Sequence, residues 1–402
     1  MIVFDYKQQM NLYQSKGAGK VKYKFMKTLI ISLLAMVLVA TGCSTGGGDN
    51  KGAEGSASSN SSTNSGEKKV VEGLPDSIKN KDNIKLMVVR KIGGDDHTAQ
   101  FLAGAKQEGE SMGITVDTFT ANGDTAKFHD AILQAVDKKY DGIIISHGDD
   151  TATVDEVKTI VDKGIPVVTF DSNPDLKNIP GVTLTSQDDE ALARLTFDNL
   201  IKEKGEDAKI IYLWVDGFPP MVRRNNVYQE YLKKYPGIVE VERFGVAAGD
   251  TSVQTQNAVS AMLTKHKKGE IDAVFAAWDA FAIGATRAIK EAGRDEIQIY
   301  GIDVSNSDLQ LLQMDESPWV STAAVDPKMI GAVNVRILLN KIAGEETPQT
   351  YDMEASLITQ EKLKESTEPV NMVNLSKIVP GWGETDAFLT DWMKALKDAY
   401  KK

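Results

Sequence analysis

From Ile84 onward, short apolar runs alternate with longer segments whose apolar residues recur at helical spacing. Ile84–Val89, Ile114–Phe119, Gly142–Ser146, Pro166–Phe170 and Val182–Thr185 read as strands. A second series follows at Lys209–Trp214, Val239–Phe244, Ala273–Ala277, Ile297–Ile302 and Val320–Ala324. The intervening segments predict helices. Thr98–Met112 places Phe101, Ala105 and Met112 on one side, and Thr125–Lys138 does the same with Phe128, Ile132, Ala135 and Val136. Met221–Lys234, Ser252–His266, Ala280–Ala292 and Pro327–Ile342 complete the set. Strands alternating with helices of this length imply parallel sheets with right-handed crossovers, an α/β fold. Gly142-Ile143-Ile144-Ile145 and Ala273-Val274-Phe275-Ala276-Ala277 are apolar throughout, which marks strands covered on both faces. The series breaks near Val182–Ser186, so two similar α/β lobes are expected.

The N-terminal region follows a different pattern. Lys20, Lys22, Lys24 and Lys27 precede an apolar run from Leu29 to Ala40, and small residues then lead to Cys43, the only cysteine. The run is shorter than the roughly 20 residues needed to span a bilayer, so it predicts a secretion signal. Cleavage before a lone cysteine resembles the lipobox of bacterial lipoproteins. That resemblance implies a lipidated Cys43 and a protein held outside the cytoplasm on a membrane. One acyl chain binds only marginally, at about 10⁴ M⁻¹, so stable tethering takes at least two. An unmodified cysteine or a retained short anchor is the alternative. Met26-Lys27-Thr28 is the expected start of the signal, with residues 1–25 an upstream extension. Ser44 to Gly66 is almost wholly Gly, Ser, Asn, Thr and Ala, too polar to order itself, and predicts a tether about 25–30 Å from end to end.

Charge narrows the partners. The chain has 46 Lys+Arg against 57 Asp+Glu, and removing residues 1–42 takes away six Lys and one Asp, leaving a net charge near −16. That argues against nucleic acid and against adsorption to an anionic membrane surface. Without a cysteine pair there is no disulfide, and the four histidines show no metal-ligand spacing. Of these four only His97, beside the first loop, is expected near a cleft. No cofactor or metal is expected.

In open parallel sheets, ligands bind beyond the carboxyl ends of the strands. Here those ends carry Gly93-Gly94-Asp95-Asp96-His97, His147-Gly148-Asp149-Asp150, Asp171-Ser172-Asn173 and Asp216-Gly217-Phe218, with Arg223 and Arg224 in the next helix. Trp278-Asp279, Asp303 and Asp326-Pro327 follow. Carboxylates accept paired bonds from adjacent hydroxyls, arginine offers a fork of donors, and an indole face suits the C–H side of a sugar ring. The rim therefore suits a neutral polyhydroxyl ligand. Asp95, Asp96, Asp150 and Asp279 could equally be helix N-caps. Asp171 and Asp303 follow directly on apolar strands, which favours a ligand role. Trp278 is either a cleft wall or a core aromatic. One of Arg223 and Arg224 is expected to be a solvated or salt-bridged surface residue.

Phe101-Leu102-Ala103-Gly104-Ala105, Tyr140-Asp141-Gly142-Ile143-Ile144-Ile145, Gly164-Ile165-Pro166-Val167-Val168-Thr169-Phe170-Asp171, Asp279-Ala280-Phe281-Ala282-Ile283-Gly284-Ala285 and Tyr300-Gly301-Ile302-Asp303 occur in order. Together they resemble the periplasmic binding proteins of the ribose/galactose type, the solute receptors of ABC sugar importers. The resemblance spans Ile84 to about Thr359. It implies two Rossmann-like lobes joined by three hinge crossings, closing on a sugar or polyol. On this basis residues 1–42 are extension and signal peptide, and 43–75 are the lipidated cysteine and linker. One lobe is 76–185, completed by about 326–350; the other is 186–325, completed by about 351–365; 366–402 is a tail. The implied ligand residues are Asp95, His97, Asp171, Arg223, Arg224, Trp278, Asp303 and Asp326. Trp278 stands where ribose receptors carry asparagine, and Val325 or Asp326 where they carry glutamine. These departures point to a different sugar, a polyol or a non-sugar solute. After an expected last strand at Met353–Thr359, the tail carries Val379-Pro380-Gly381-Trp382-Gly383 and an amphipathic helix, Asp386–Tyr400, expected to pack across the lobes or hinge.

The expected function is a non-enzymatic, monomeric receptor that presents its solute to a membrane permease. A sensor serving a membrane kinase or chemoreceptor would need the same fold. Facing carboxylates would also suit a glycosidase. No G-x-S-x-G elbow, metal motif or phosphate-binding glycine loop is present, and Gly93-Gly94-Asp95 is too short for a dinucleotide fingerprint. The export signal and the lack of a DNA-binding headpiece disfavour a repressor.

Overall fold

A computed structural model describes residues 69–401. The expected signal, Cys43 and most of the expected linker lie outside the described residues. Among the described residues, twelve strands run in chain order: β1 (Lys85–Arg90), β2 (Thr115–Thr120), β3 (Gly142–Ser146), β4 (Val167–Phe170), β5 (Val182–Gln187), β6 (Lys209–Leu213), β7 (Val239–Phe244), β8 (Ala273–Ala276), β9 (Gln298–Ile302), β10 (Trp319–Ala324), β11 (Thr350–Met353) and β12 (Ser356–Thr359). They form two six-stranded sheets, ordered β11-β5-β4-β3-β1-β2 and β12-β10-β9-β8-β6-β7. These strands pair in parallel except for β12 against β10, which is antiparallel.

Each sheet is buried on both faces. Helices Asp96–Ser111 and Pro327–Ala343 cover one side of the first sheet, with Phe101, Ala105, Ile330, Val333 and Ile337 in its core. Thr125–Asp137 and Thr151–Asp162 cover the other side with Phe128, Ile132, Val157 and Ile160. In the second lobe, Thr251–Lys265 and Asp279–Ala292 face one side, and Asp189–Lys204 and Pro219–Lys234 the other. The wholly apolar Gly142–Ser146 is buried at every position, as a strand between two helical layers must be.

Up to Thr359, three connections among the described strands and helices pass between the lobes: β5 into helix Asp189–Lys204, β10 into helix Pro327–Ala343, and β11 into β12. The last corrects the expectation of a single strand at Met353–Thr359. Met353 pairs with Gln187 in the first sheet, whereas Ser356 pairs with Ala324 in the second. The tail helix is shorter than expected, Asp391–Tyr400, because Phe388 takes a left-handed φ of 59° just before it.

Strand ends are level across each sheet. Arg90 is in register with Ser146, Ser146 with Phe170, and Phe170 with Thr185. Leu213 matches Ala276, and Ala276 matches Gly301. The residues that follow each strand therefore stand in one row per lobe.

Candidate functional site

Two of those residues are related by the likeness of the lobes. Asp171 donates its backbone N–H to Thr185 O at 3.0 Å, and Asp303 donates to Ala323 O at 2.9 Å, each extending a ladder by one bond. Each then turns through a positive φ, 45° and 76°. His147, after β3, does the same at 63°. Aspartate tolerates this conformation better than most residues, and such strain collects at functional sites.

The two guanidinium groups of helix Pro219–Lys234 meet these carboxylates. Arg224, 1 % exposed, forks onto both oxygens of Asp303 at 3.0 and 3.1 Å. It also donates to Asp189 Oδ1 at 2.8 Å and to Ala277 O at 2.7 Å. Arg223 donates to Asp171 Oδ1 at 3.0 Å and to Asp189 Oδ2 at 2.5 and 2.9 Å. Buried Asp189 accepts from both; Arg224 is sealed, whereas Arg223 is salt-bridged with its side chain 30% exposed. Arg223 reaches Asp171 across the lobes, and Asn306 N donates to Asp96 Oδ2 at 2.8 Å as a second cross-lobe bond. The lobes are in contact around the row of strand ends.

Burial, reinforced by the neighbouring Asp189 charge and opposed by the arginines, pushes Asp171 up to about 7. Burial would lower Arg224, but Asp303 and Asp189 outweigh it and raise the group further. Burial lowers His97, and lowers His147 further with help from the Arg90 charge, which favours the neutral form of both imidazoles.

His97 Nε2 is shut off from solvent and has no hydrogen-bond partner among the described residues. Trp278 is half-buried and meets Phe281 edge-on at 5.6 Å and 83°. Asp95 caps its helix, its Oδ1 accepting from Thr98 N at 2.6 Å, and Asp150 caps the next through Thr153 N at 2.9 Å. Asp96 serves the cross-lobe bond instead. Asp279 accepts from Ala280 N at 2.7 Å, and burial beside Asp308 raises its carboxyl well above the usual range. Asp326 caps helix Pro327–Ala343 through Lys328 N at 2.8 Å, while Val325 is buried in the core of the first lobe. The structure thus brings Asp171, Arg223, Arg224 and Asp303 into one network with His97 nearby, and places Asp326 at a crossing between the lobes.

Three residues at the site, Asp189, Arg90 and His147, were not among the ligand residues expected from the sequence. Asp189 looks like any acidic residue in a first helical turn. Arg90 ends β1 and is 3 % exposed, yet among the described residues its guanidinium bonds only to hydroxyls, Thr98 Oγ1 at 3.2 Å and Ser146 Oγ at 3.1 Å, above the Phe101 ring at 4.9 Å. Burial lowers it, and Asp95, Asp171 and Asp303 partly restore it. His147 stands beside it, 2.9 Å from Ser146 Oγ and edge-on to Phe170, so His97 is not alone at the rim. A charged residue closing an apolar strand was the available signal for Arg90.

The family model of the periplasmic binding protein domain matches residues 86–346, more than half of the chain. The chain belongs to the periplasmic binding proteins. As one of these it is an extracytoplasmic binding protein and not an enzyme, and the relatives it is similar to serve the import of sugars. A sugar ABC transporter structure from Yersinia enterocolitica is 47% identical with a TM-score of 0.78, covering 83% of this chain and 100% of that one. The 5-methylthioribose transporter solute binding protein from Thermotoga lettingae, in complex with 5-methylthioribose, is 32% identical with a TM-score of 0.74, covering 82% and 100%. The ribose import binding protein of Escherichia coli K12 is 24% identical over 263 residues, 64% of this chain and 84% of that protein. The expected fold class is therefore correct for this binding protein.

Proposed function

We propose that the protein captures a small sugar-like solute between the two rows of strand ends, with a pentose or thio-substituted pentose as the first class to test, and passes it to an ABC permease. The observation that carries this is the ion network Asp171–Arg223–Asp189–Arg224–Asp303, which draws on both lobes. Asp171 and Asp303 would accept ligand hydroxyls. The arginines aim those carboxylates, and Arg90 and His97 retain hydrogen-bonding capacity that no described protein group uses. Trp278 would pack on the ring face, and Asp95 serves as cap as well as rim. Asp326 is better assigned to the crossing it caps. Closure is then a population shift, in which the solute gains most of its contacts once the lobes meet. The relative that binds 5-methylthioribose supports the choice of first ligand, as do the departures from the ribose receptors at Trp278 and Val325.

Anchoring through a lipidated Cys43 would raise the effective concentration of the receptor near its permease. Cys43→Ala should release the protein from the membrane fraction; retention there would overturn the anchor. The test of the solute class is a thermal-shift panel of residues 67–402 against ribose, 5-methylthioribose, hexoses, polyols and nucleosides. A ligand at about 100 times its Kd stabilises by about 2.7 kcal/mol. A hit among the sugars supports the assignment. A flat sugar panel with a hit among other solutes overturns it.

A further inference from the structure

The tail is buried in both lobes. Met372, Leu375, Val379 and Trp382 sit in the apolar core beside the second sheet, whereas Trp392, Met393 and Leu396 sit in the core beneath the first. Gln313 clamps the start of this segment, exchanging two 2.7 Å bonds with the Val370 backbone. On the far side Trp392 Nε1 donates to Glu345 Oε1 at 2.7 Å, and Lys397 meets the Glu108 carboxylate, which also receives Arg336 at 2.5 Å.

Between these anchors the chain runs beside the hinge. Gly383, at φ +72°, lies so close to Asp326 that a Cβ there would stand 2.5 Å from Asp326 Oδ2, at the second crossing. Arg336 grips the carbonyls of Thr385 and Ala387 at 2.6 and 3.3 Å, and Asn340 that of Phe388 at 3.1 Å. The Phe388 ring meets Tyr351 of β11 edge-on at 4.8 Å, next to the third crossing.

We propose that residues 383–390 form a fourth hinge connection, a strap that limits how far the lobes open and biases the ligand-free protein toward closure. A covalent crossing absorbs rotation through a few φ/ψ changes. A segment whose two ends are buried in different cores cannot slide, so opening must either stretch it or pull an anchor out. This rests on the lobe-closing function proposed above and not on the identity of the solute.

The test is the ligand-free full chain carrying Cys43→Ser, with spin labels at Asp175→Cys and Asp216→Cys, exposed positions on the two lobes. Pulsed EPR distances are compared for three variants. The first inserts Gly-Ser-Gly-Ser between Gly383 and Glu384, which lengthens the strap and leaves both anchors intact. The second, Gly383→Ala, crowds Asp326. The third, Arg223→Ala, removes a cross-lobe ion pair. The insertion and Gly383→Ala should each add a longer-distance population, and the insertion should leave the melting temperature within about 3 °C, since loop length is a small term. Distances unchanged in both strap variants but lengthened by Arg223→Ala would overturn the strap and leave lobe closure standing. Distances unchanged in all three would overturn both.

Discussion

Asp171 holds a conformation and a charge that its surroundings oppose. Its φ is 45°, its carboxylate is sealed, and the guanidinium that donates to it is shared with Asp189. Because its folded value is pushed up to about 7 from an ordinary carboxylate value of about 4, the folded state holds a proton that the unfolded state has released across that window. The folded state binds more protons there, so this group's contribution to stability falls as pH rises from about 4 to 7 and is level above. Asp171→Asn keeps the shape and tolerates the left-handed backbone. Its stability relative to the parent should therefore climb by more than about 1 kcal/mol between about pH 5 and pH 8 in urea melts. An unchanging difference would show the carboxylate to be ionised throughout. The same variant should weaken solute binding at least about tenfold in calorimetry, as loss of a charge-assisted acceptor does. Asp171 and Asp303 were legible in the sequence because each carboxylate directly ends an apolar strand, which puts it in the row where open parallel sheets bind their ligands. Asp189 was not, since burial and a double guanidinium contact are decided by how two distant helices approach.

At the scale of elements, helices Asp96–Ser111 and Pro327–Ala343 touch backbone to backbone although they lie more than 200 residues apart in the chain. A Cβ at Gly331 would stand 2.2 Å from Phe101 O, and one at Gly104 would stand 2.1 Å from Lys328 O. Gly331→Ala should therefore destabilise the protein by about 1–3 kcal/mol, the usual cost of overpacking, although alanine is the better helix former. A neutral result in thermal melts would show that the helices separate at little cost. Most strands were legible from their apolar runs, to within a residue or two. The break between β11 and β12 was not, because Glu354 and Ala355 interrupt an otherwise strand-like stretch without a glycine or proline to mark the turn. Helix Asp189–Lys204 was also missed. Its buried face mixes Asp189, Thr196 and Asn199 with Leu192, Ala193 and Phe197, so it lacks the wholly apolar stripe that announces a surface helix.

The whole molecule is two similar bodies whose completion is interleaved. The first sheet borrows β11 from the far end of the chain, and the helix that fills one face of that sheet begins only at Pro327. The fragment 69–187, expressed alone, would keep helix Asp96–Ser111 but leave Ile144 and Val168 without the helix that covers them. It should show no cooperative thermal transition; a sharp one would mean that the first lobe holds its own core.

That interleaving has a bearing on how the protein is made. The covering helix begins only at Pro327 and the last edge strand of the first lobe ends only at Met353, long after β5 ends at Gln187. The nascent chain therefore carries β3 and β4 open on one face while nearly all of the second lobe is made. Such an order leaves part of the first lobe's core to be closed by residues from the last quarter of the sequence.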